Sequence, residues 1–374
     1  SSTAGAQRGA VDGGLSSMTL WVVKIGTSLL RGDTAATISG YASCFASAMA
    51  RGDQVVLVTS GAVGLGCQRL AMKDRPDAVV ALQAAAAIGQ GTLMALYERS
   101  LARHGHPVAQ VLLTRSDLAD RRRYQNASGT LQQLLDWGVL PVINENDALC
   151  PAELRFGDND TLSALVAAAV GAQQLILLTD VDRLYSSDPR IDVNAQPISD
   201  VHHPRELESL EKGAGDGGSW GTGGMTTKLA AARIATASGI TVHLADGRDP
   251  ARLDALFQGG RGGTVFHPHP EPIGNRRSWL AHVLQPEGEI QLDQGACNAL
   301  QHRGASLLLV GVTAVQGEFD ANQPVTLRDP EGQELGRGLC SMESEQLRRV
   351  MQTHGSGAPS PVVVHRDALV LRCR

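Results

Sequence analysis

This sequence predicts an α/β fold, a mostly parallel sheet covered by helices on both faces with a small β-rich unit behind it. Three observations point there. From Leu20 onward, short β-branched runs alternate with longer Ala-rich helical segments, a pattern whose strands become parallel and buried on both sides. Hydrophobic residues make up 43% of the chain and charged residues 19%, ample for a large core and too apolar for disorder. Aromatics are only 3% while glycine reaches 42 residues, so the core is built from Ala, Val and Leu, with close helix-on-sheet packing and many tight turns. At 374 residues the chain exceeds one average domain.

In chain order, TLWVVKI (19–25), QVVLVTS (54–60), PVAQVLLT (107–114), VLPVIN (139–144), QLILLTD (174–180) and ITVHLAD (240–246) read as buried strands. Segments around 36–50, 77–103, 122–136, 160–171 and 226–238 read as helices between them. Past Gly263 a Pro- and His-rich link, HPHPEPIGN (267–275), marks a boundary, and His267 and His269 alternate with prolines as linker residues do. Beyond it GEIQLD (288–293), ASLLLVGVTAVQG (305–317), PVTLRD (324–329), ELGRGL (334–339) and PVVVHR (361–366) give a small β-barrel-like unit with one helix near 343–351. The expected division is a flexible tail over 1–17, a main unit over 18–268, a linker over 269–279 and a second unit over 280–374.

Several function classes fall away. The formal net charge of −5 supplies no field for nucleic acid or an acidic membrane. Cys44, Cys67, Cys150, Cys297, Cys340 and Cys373 lie far apart with no C-x-x-C pair, so they read as reduced thiols in a cytoplasmic protein rather than a zinc site or disulfide framework. Ser1–Ser17 lacks the apolar core of a signal peptide. The apolar helical stretches carry Gln83 and Gln90, or Gln173 and Gln174, and none is expected to be long enough to cross a bilayer.

In a parallel sheet, ligands sit beyond the carboxyl ends of the strands. There the sequence places KIGTS (24–28), SGAV (60–63), NEND (144–147) and Thr179–Asp180. A separate loop, GTGGMTTK (221–228), runs into the helix near 226–238. Its glycines let backbone N–H groups converge on an anion, the helix start adds its positive end, and Lys228 sits where it can reach a phosphate. The residue order is not that of a P-loop, and the glycines upstream equally fit a mobile surface loop.

Nearly all of the 33 basic residues are arginine; only Lys24, Lys73, Lys212 and Lys228 are lysines. A lysine kept inside a glycine-rich motif marks a place for a compact ammonium. Lys24 ends a buried strand, where its charge is costly unless it meets an anion; the alternative is an exposed strand-end lysine. GDND (157–160) offers two carboxylates near NEND, able to orient lysines, bind an ammonium or hold Mg²⁺ through water. Asp158 and Asn159 also suit a helix cap. The small residues at Ser60, Gly61 and Ala62 would let a substrate approach the backbone.

Taken together, VVKIGTS (22–28), VTSGAV (58–63), PVINENDA (141–148), GDND (157–160), LLTDVDRLYSSDPR (177–190) and GTGGMTTKLAAA (221–232) resemble the amino-acid kinase family, in order and in register. From Trp279 onward the chain resembles a PUA domain. The resemblance implies an open αβα sandwich and ATP-dependent phosphorylation of the side-chain carboxylate of glutamate. It implies that Lys24 and Lys228 contact the phosphates and that Asp160 organises the two lysines. Ser60, Asp147 and Asn159 would hold glutamate, with Gly61 and Asn144 nearby. Thr179 and Asp180 would bound the nucleotide site, and Thr222, Gly223, Gly224 and Met225 would line the ATP loop. It further implies Mg²⁺ beside ATP, proline as a feedback inhibitor, a homo-oligomer (dimer or tetramer) and a hand-off of the product to a glutamyl phosphate reductase.

Two rival readings stand beside it. Another member of the same family would use N-acetylglutamate, aspartate or a phosphorylated nucleotide as acceptor. An RNA-binding protein is the rival from a different class, since PUA domains often bind RNA. Against that, Leu280–Arg374 contains no lysine and more carboxylates than arginines.

Overall fold

A computed structural model describes residues 18–114, 117–118, 121–149, 159–215, 224–274, 281, 286–353 and 359–372. Every β-branched run of the main unit forms a strand: β1 (Leu20–Ile25), β2 (Gln54–Val58), β3 (Val108–Leu113), β4 (Leu140–Glu145), β5 (Gln174–Thr179) and β9 (Thr241–Asp246). Between β5 and β9 lie the short strands β6 (Leu184–Tyr185), β7 (Pro197–Ile198) and β8 (Asp200–Val201), and β10 (Thr264–Phe266) follows β9. The main sheet has eight strands in the order β3-β4-β2-β1-β5-β9-β10-β8. The first six run parallel; β10 turns back against β9 and carries β8 beside it. The parallel strands therefore end on one edge, at Ile25, Val58, Leu113, Glu145, Thr179 and Asp246.

Helices cover both faces. On one side α1 (Thr34–Ala50), α2 (Ala62–Arg69), α3 (Val79–Ala102) and α8 (Pro250–Phe257) pack on Trp21, Val23 and Ile25. On the other, α4 (Arg121–Asp136), α5 (Asn159–Val170), α6 (Pro204–Gly215) and α7 (Gly224–Ala237) pack on Leu20 and Val22. Strand side chains alternate with period two, so Lys24 shares the face of Leu20 and Val22 and points toward α5 and α7. The position of the first candidate residue thus follows from counting along β1.

The sequence reading omits α2, α6, α8 and the short strands. Each lacks a strong periodic signal for a physical reason: α2 contains Gly64 and Gly66, and α6 buries little beyond Leu207. The start of α8 was legible, since Asp249 precedes Pro250 and its carboxylate accepts from the Ala251 N–H at 3.0 Å.

One expectation needs correction. The 24-residue α3 contains an 18-residue stretch of mean hydropathy 1.6, so by length and composition one helix is long enough to cross a bilayer. Gln83 and Gln90 do not offset its many alanines. In the fold it is a layer helix, with Leu93, Tyr97 and Leu101 fully buried against α1 and the sheet.

The contact of α2 with α3 depends on absent side chains. A Cβ on Gly66 would lie 1.8 Å from the Ala85 carbonyl oxygen, and one on Gly89 would lie 1.6 Å from that of Ala62. Both obstacles are backbone, so neither can rotate away. This approach sets where α2 begins, immediately after Ser60 and Gly61.

The C-terminal unit holds a six-stranded sheet, ordered β12-β16-β15-β14-β11-β13. Its strands are β11 (Gly288–Leu292), β12 (Leu307–Leu308), β13 (Val312–Gly317), β14 (Pro324–Arg328), β15 (Glu334–Cys340) and β16 (Val362–Leu371). It carries two described helices rather than the single one expected: α9 (Gln294–Arg303) as well as α10 (Ser344–Thr353). The signals for α9 were present, Asp293 as N-cap and Gly304 past its end at φ 57°. The proposed tail, and the part of the proposed linker from Asn275 on, lie outside the described residues.

Two measurements test this packing. Gly89→Ala should destabilise the fold by about 1–3 kcal/mol in urea denaturation, because the added methyl must push α2 and α3 apart. His243 on β9 is the second case: burial, and secondarily the charge of His267, lower its pKa from 6.5 to about 4. The unfolded chain then binds more protons between those values, so stability is full above the unfolded pKa and falls on acidification. We expect a loss on the order of 2 kcal/mol from pH 7 to 5, and a shallower pH dependence in His243→Gln.

Candidate active site

The carboxyl edge of the sheet opens into a cavity of about 760 Å³. Lys24, Ser60, Gly61, Asn144, Asp147, Asn159 and Lys228, drawn from five separate stretches of sequence, all line it. Asp160 lies beneath, with none of its surface exposed.

Asp160 joins the two lysines. Its Oδ1 is 2.7 Å from Lys24 Nζ and its Oδ2 is 3.2 Å from Lys228 Nζ. Thr227 Oγ1 donates to the same Oδ2 at 3.0 Å, and Lys228 Nζ also donates to the Gly224 carbonyl at 3.1 Å. β1 supplies one ammonium, the first turns of α7 the other, and the first turn of α5 the carboxylate that holds both. A buried carboxylate is costly unless paired, and here two ammonium groups answer one carboxylate, with both of them lining the cavity. Gly26 adjoins the triad, where a Cβ would come to an ordinary contact distance of 3.4 Å from Lys24 Nζ.

The opposite end is a polar network of Asn159, Asn144 and Ser60. Asn159 Nδ2 donates to the Thr59 carbonyl at 2.6 Å and to Asn144 Oδ1 at 2.8 Å, and lies 3.2 Å from Ser60 Oγ. Asn144 Nδ2 in turn donates to Gln90 Oε1 on α3 at 2.9 Å. These contacts tie α5, β2, β4 and α3 into one wall. Asn159 is thus a cross-link between layers, a role beyond helix capping. Gly61 takes φ 101°, a left-handed conformation that favours glycine, and it turns the chain so that the N-terminus of α2 faces the cavity.

Other predicted residues fall elsewhere. Thr179 is buried at the end of β5 and Asp180 beside it is exposed; neither lines this cavity. Gly224 begins α7, and the Met225 side chain is buried in the core. Asp158, Thr222 and Gly223 lie outside the described residues. Sequence reasoning missed Gln90, Thr227, Arg31 and Arg75, the last two of which line the cavity from loops. Gln90 had a signal, as an amide in an Ala-rich helix. Arg31 and Arg75 had none, because only the path of the folded chain brings those loops to the rim.

Fold and site together define a class. The amino acid kinase family profile matches residues 19–246 and the PUA domain profile residues 288–358, and the chain belongs to the amino acid kinase family. A solved carbamate kinase from Giardia lamblia bound to AMP-PNP shares the fold at TM-score 0.50 and 16% identity, covering 68% of this chain and 100% of that one.

Nearer relatives narrow the class. The chain is 83% identical over 357 residues to the glutamate 5-kinase of Synechococcus sp. (strain CC9605), covering 96% of this chain and 100% of that one. It is 71% identical to the glutamate 5-kinase of Prochlorococcus marinus (strain MIT 9313), over 95% of this chain and 99% of that one.

Asp160→Asn provides the test of the triad. Removing the charge leaves two ammonium groups facing each other without their anion, so we expect a loss of about 3–5 kcal/mol in stability. Added inorganic phosphate should restore part of that loss by supplying the missing charge, read as a rise in melting temperature larger than in the parent protein.

Proposed function

We infer that this chain transfers the terminal phosphoryl group of ATP to the side-chain carboxylate of glutamate, giving γ-glutamyl phosphate and ADP, the first step of proline biosynthesis. The Lys24–Asp160–Lys228 triad, set in the wall of a cavity whose far end is polar, is the observation that carries the residue assignments. A carboxylate with an ordinary pKa of about 4.3 is ionised at neutral pH, so the nucleophile needs no general base. One of its oxygens attacks the γ-phosphorus, and the bond to the β-phosphate oxygen breaks with its electron pair leaving on ADP. The chain's task is to bring two anions into line and offset their repulsion.

In this reading Lys24 and Lys228 neutralise charge on the moving phosphoryl group, and Asp160 fixes the separation of the two ammonium groups. Ser60, Asn159 and the α2 N-terminus with Gly61 receive the acceptor, Asn144 braces Asn159, and the Asp147 carboxylate takes its amino group. Thr179 and Asp180 bound the nucleotide, with the 222–225 loop over its phosphates. Mg²⁺ adds further charge neutralisation. Asp160 has both oxygens engaged by lysines, so the carboxylates in the cavity wall able to reach the ion's water shell are Glu145 and Asp147.

Proline shares with glutamate an α-carboxylate beside a protonated amine, secondary in its case, and would compete at the acceptor end. The labile acyl phosphate would pass to a glutamyl phosphate reductase, and the chain would work as a cytoplasmic dimer or tetramer.

An ADP-release assay across glutamate, N-acetylglutamate and aspartate, with hydroxylamine trapping the acyl phosphate, tests the reaction. Glutamate should be preferred by at least about a hundredfold in kcat/KM, since acylation removes the ammonium charge that the Asp147 carboxylate would receive. Lys228→Ala should lose about 10²–10³ in kcat with folding intact, and Asp147→Ala should chiefly raise KM for glutamate. Equal use of N-acetylglutamate would contradict the acceptor assignment.

A further inference from the structure

The lysine triad and the acceptor wall account for the phosphates and the amino acid, and they occupy only part of the sheet edge. The acceptor end lies over β2 and β4, and Lys24 stands over β1. Beyond β1 the sheet continues with β5 and then β9. A nucleotide whose terminal phosphate meets Lys24 therefore extends across the ends of those two strands, about 10 Å at ordinary strand spacing.

Two matching clasps stand there. After β9, Arg248 donates to Asp246 Oδ1 from its backbone N–H and from Nε, both at 2.9 Å, and from Nη2 to Oδ2 at 2.7 Å. In the loop after β6, Arg190 does the same to Asp188: backbone N–H at 2.9 Å and Nε at 3.0 Å to Oδ1, Nη2 at 2.7 Å to Oδ2. The Asp246 and Asp188 side chains are 6% and 5% exposed, those of Arg248 and Arg190 60% and 72%. Asp180, at the end of β5, lies within electrostatic reach of both guanidinium groups. Three hydrogen bonds to one buried carboxylate exceed what closing a turn requires. They fix the plane of the guanidinium and leave much of it in solvent.

We propose that Arg248, held flat by Asp246, is the platform on which the purine base of the nucleotide stacks, which makes it a residue that sets nucleotide affinity. This rests on the phosphoryl-transfer reading above. A guanidinium is planar, weakly hydrated and stacks on ring systems. Charge separates base from phosphate. Asp246, Asp180 and Asp182 all act on Arg248, whereas the triad sets two ammonium groups against one carboxylate. The phosphates go to the triad and the uncharged base to the clasp, with Asp180 placed to accept from the amino and hydroxyl groups of a nucleoside.

The test is steady-state kinetics of Arg248→Ala and Arg248→Lys, with adenosine and magnesium tripolyphosphate as competing probes. KM for ATP should rise about tenfold in Arg248→Ala, the worth of one stacked cation, while KM for glutamate stays unchanged. Lysine should not rescue, because it keeps the charge and loses the plane. Inhibition by adenosine should weaken and inhibition by tripolyphosphate should hold. Asp246→Asn keeps the arginine and loosens the clasp; it should raise KM for ATP by a smaller factor, and it serves where Arg248→Ala does not fold.

An unchanged KM for ATP overturns the proposal, as does rescue by lysine with a parallel loss of tripolyphosphate inhibition, which would assign Arg248 to the phosphates. A parent enzyme that releases no ADP with glutamate would instead overturn the phosphoryl-transfer reading itself.

Discussion

A carboxylate with no exposed surface, gripped by two ammonium groups, holds this molecule's working edge together. Asp160 sits on α5, Lys24 on β1 and Lys228 on α7, so a single side chain links the central strand to two helices of one layer. In a low-dielectric setting each charge alone would be strongly unfavourable. Together they are tolerated, and both ammonium groups line the cavity. The same electrostatic constraint that fixes α5 and α7 against β1 therefore also sets two cations side by side in the cavity wall.

The second wall is built by a different means. The layer opposite Asp160 carries α2 and α3, which touch through Gly66 and Gly89 with no room for a methyl group. That contact brings the beginning of α2, with Ser60 and Gly61, to the cavity rim. Asn159 then reaches from α5 to β2 and β4, and Gln90 on α3 steadies Asn144. One wall is held by charge and the other by close backbone packing and amide hydrogen bonds. The division gives the cavity two different properties, since charge held away from water attracts strongly and rigid packing gives selectivity.

The main strands and their neighbouring long helices were legible because burial on both faces leaves continuous β-branched runs, and these are hard to confuse with anything else. The elements left out are those whose existence depends on neighbours. The short helix α2 has two glycines that count against it in isolation and become its reason for being there once α3 is beside it. β6, β7 and β8 are two residues each and exist as partners of other strands. Length is also a poor guide to environment: α3 is apolar enough to span a bilayer, yet its large side chains Leu93, Tyr97 and Leu101 are buried in a protein layer.

By itself the sequence determined that Lys24, Ser60, Asn144 and Thr179 fall at or next to the carboxyl ends of strands, because strand ends and side-chain parity follow from a period of two along the chain. It also determined that lysine is rare and sits in glycine-rich settings. Only the tertiary structure decided that Lys24 and Lys228 share one carboxylate, that Arg31 and Arg75 reach the same cavity, and that two Asp–Arg clasps stand near Asp180. Those facts depend on sheet order and on the paths of loops, which are set by contacts between residues far apart in the chain and leave no local trace in either segment.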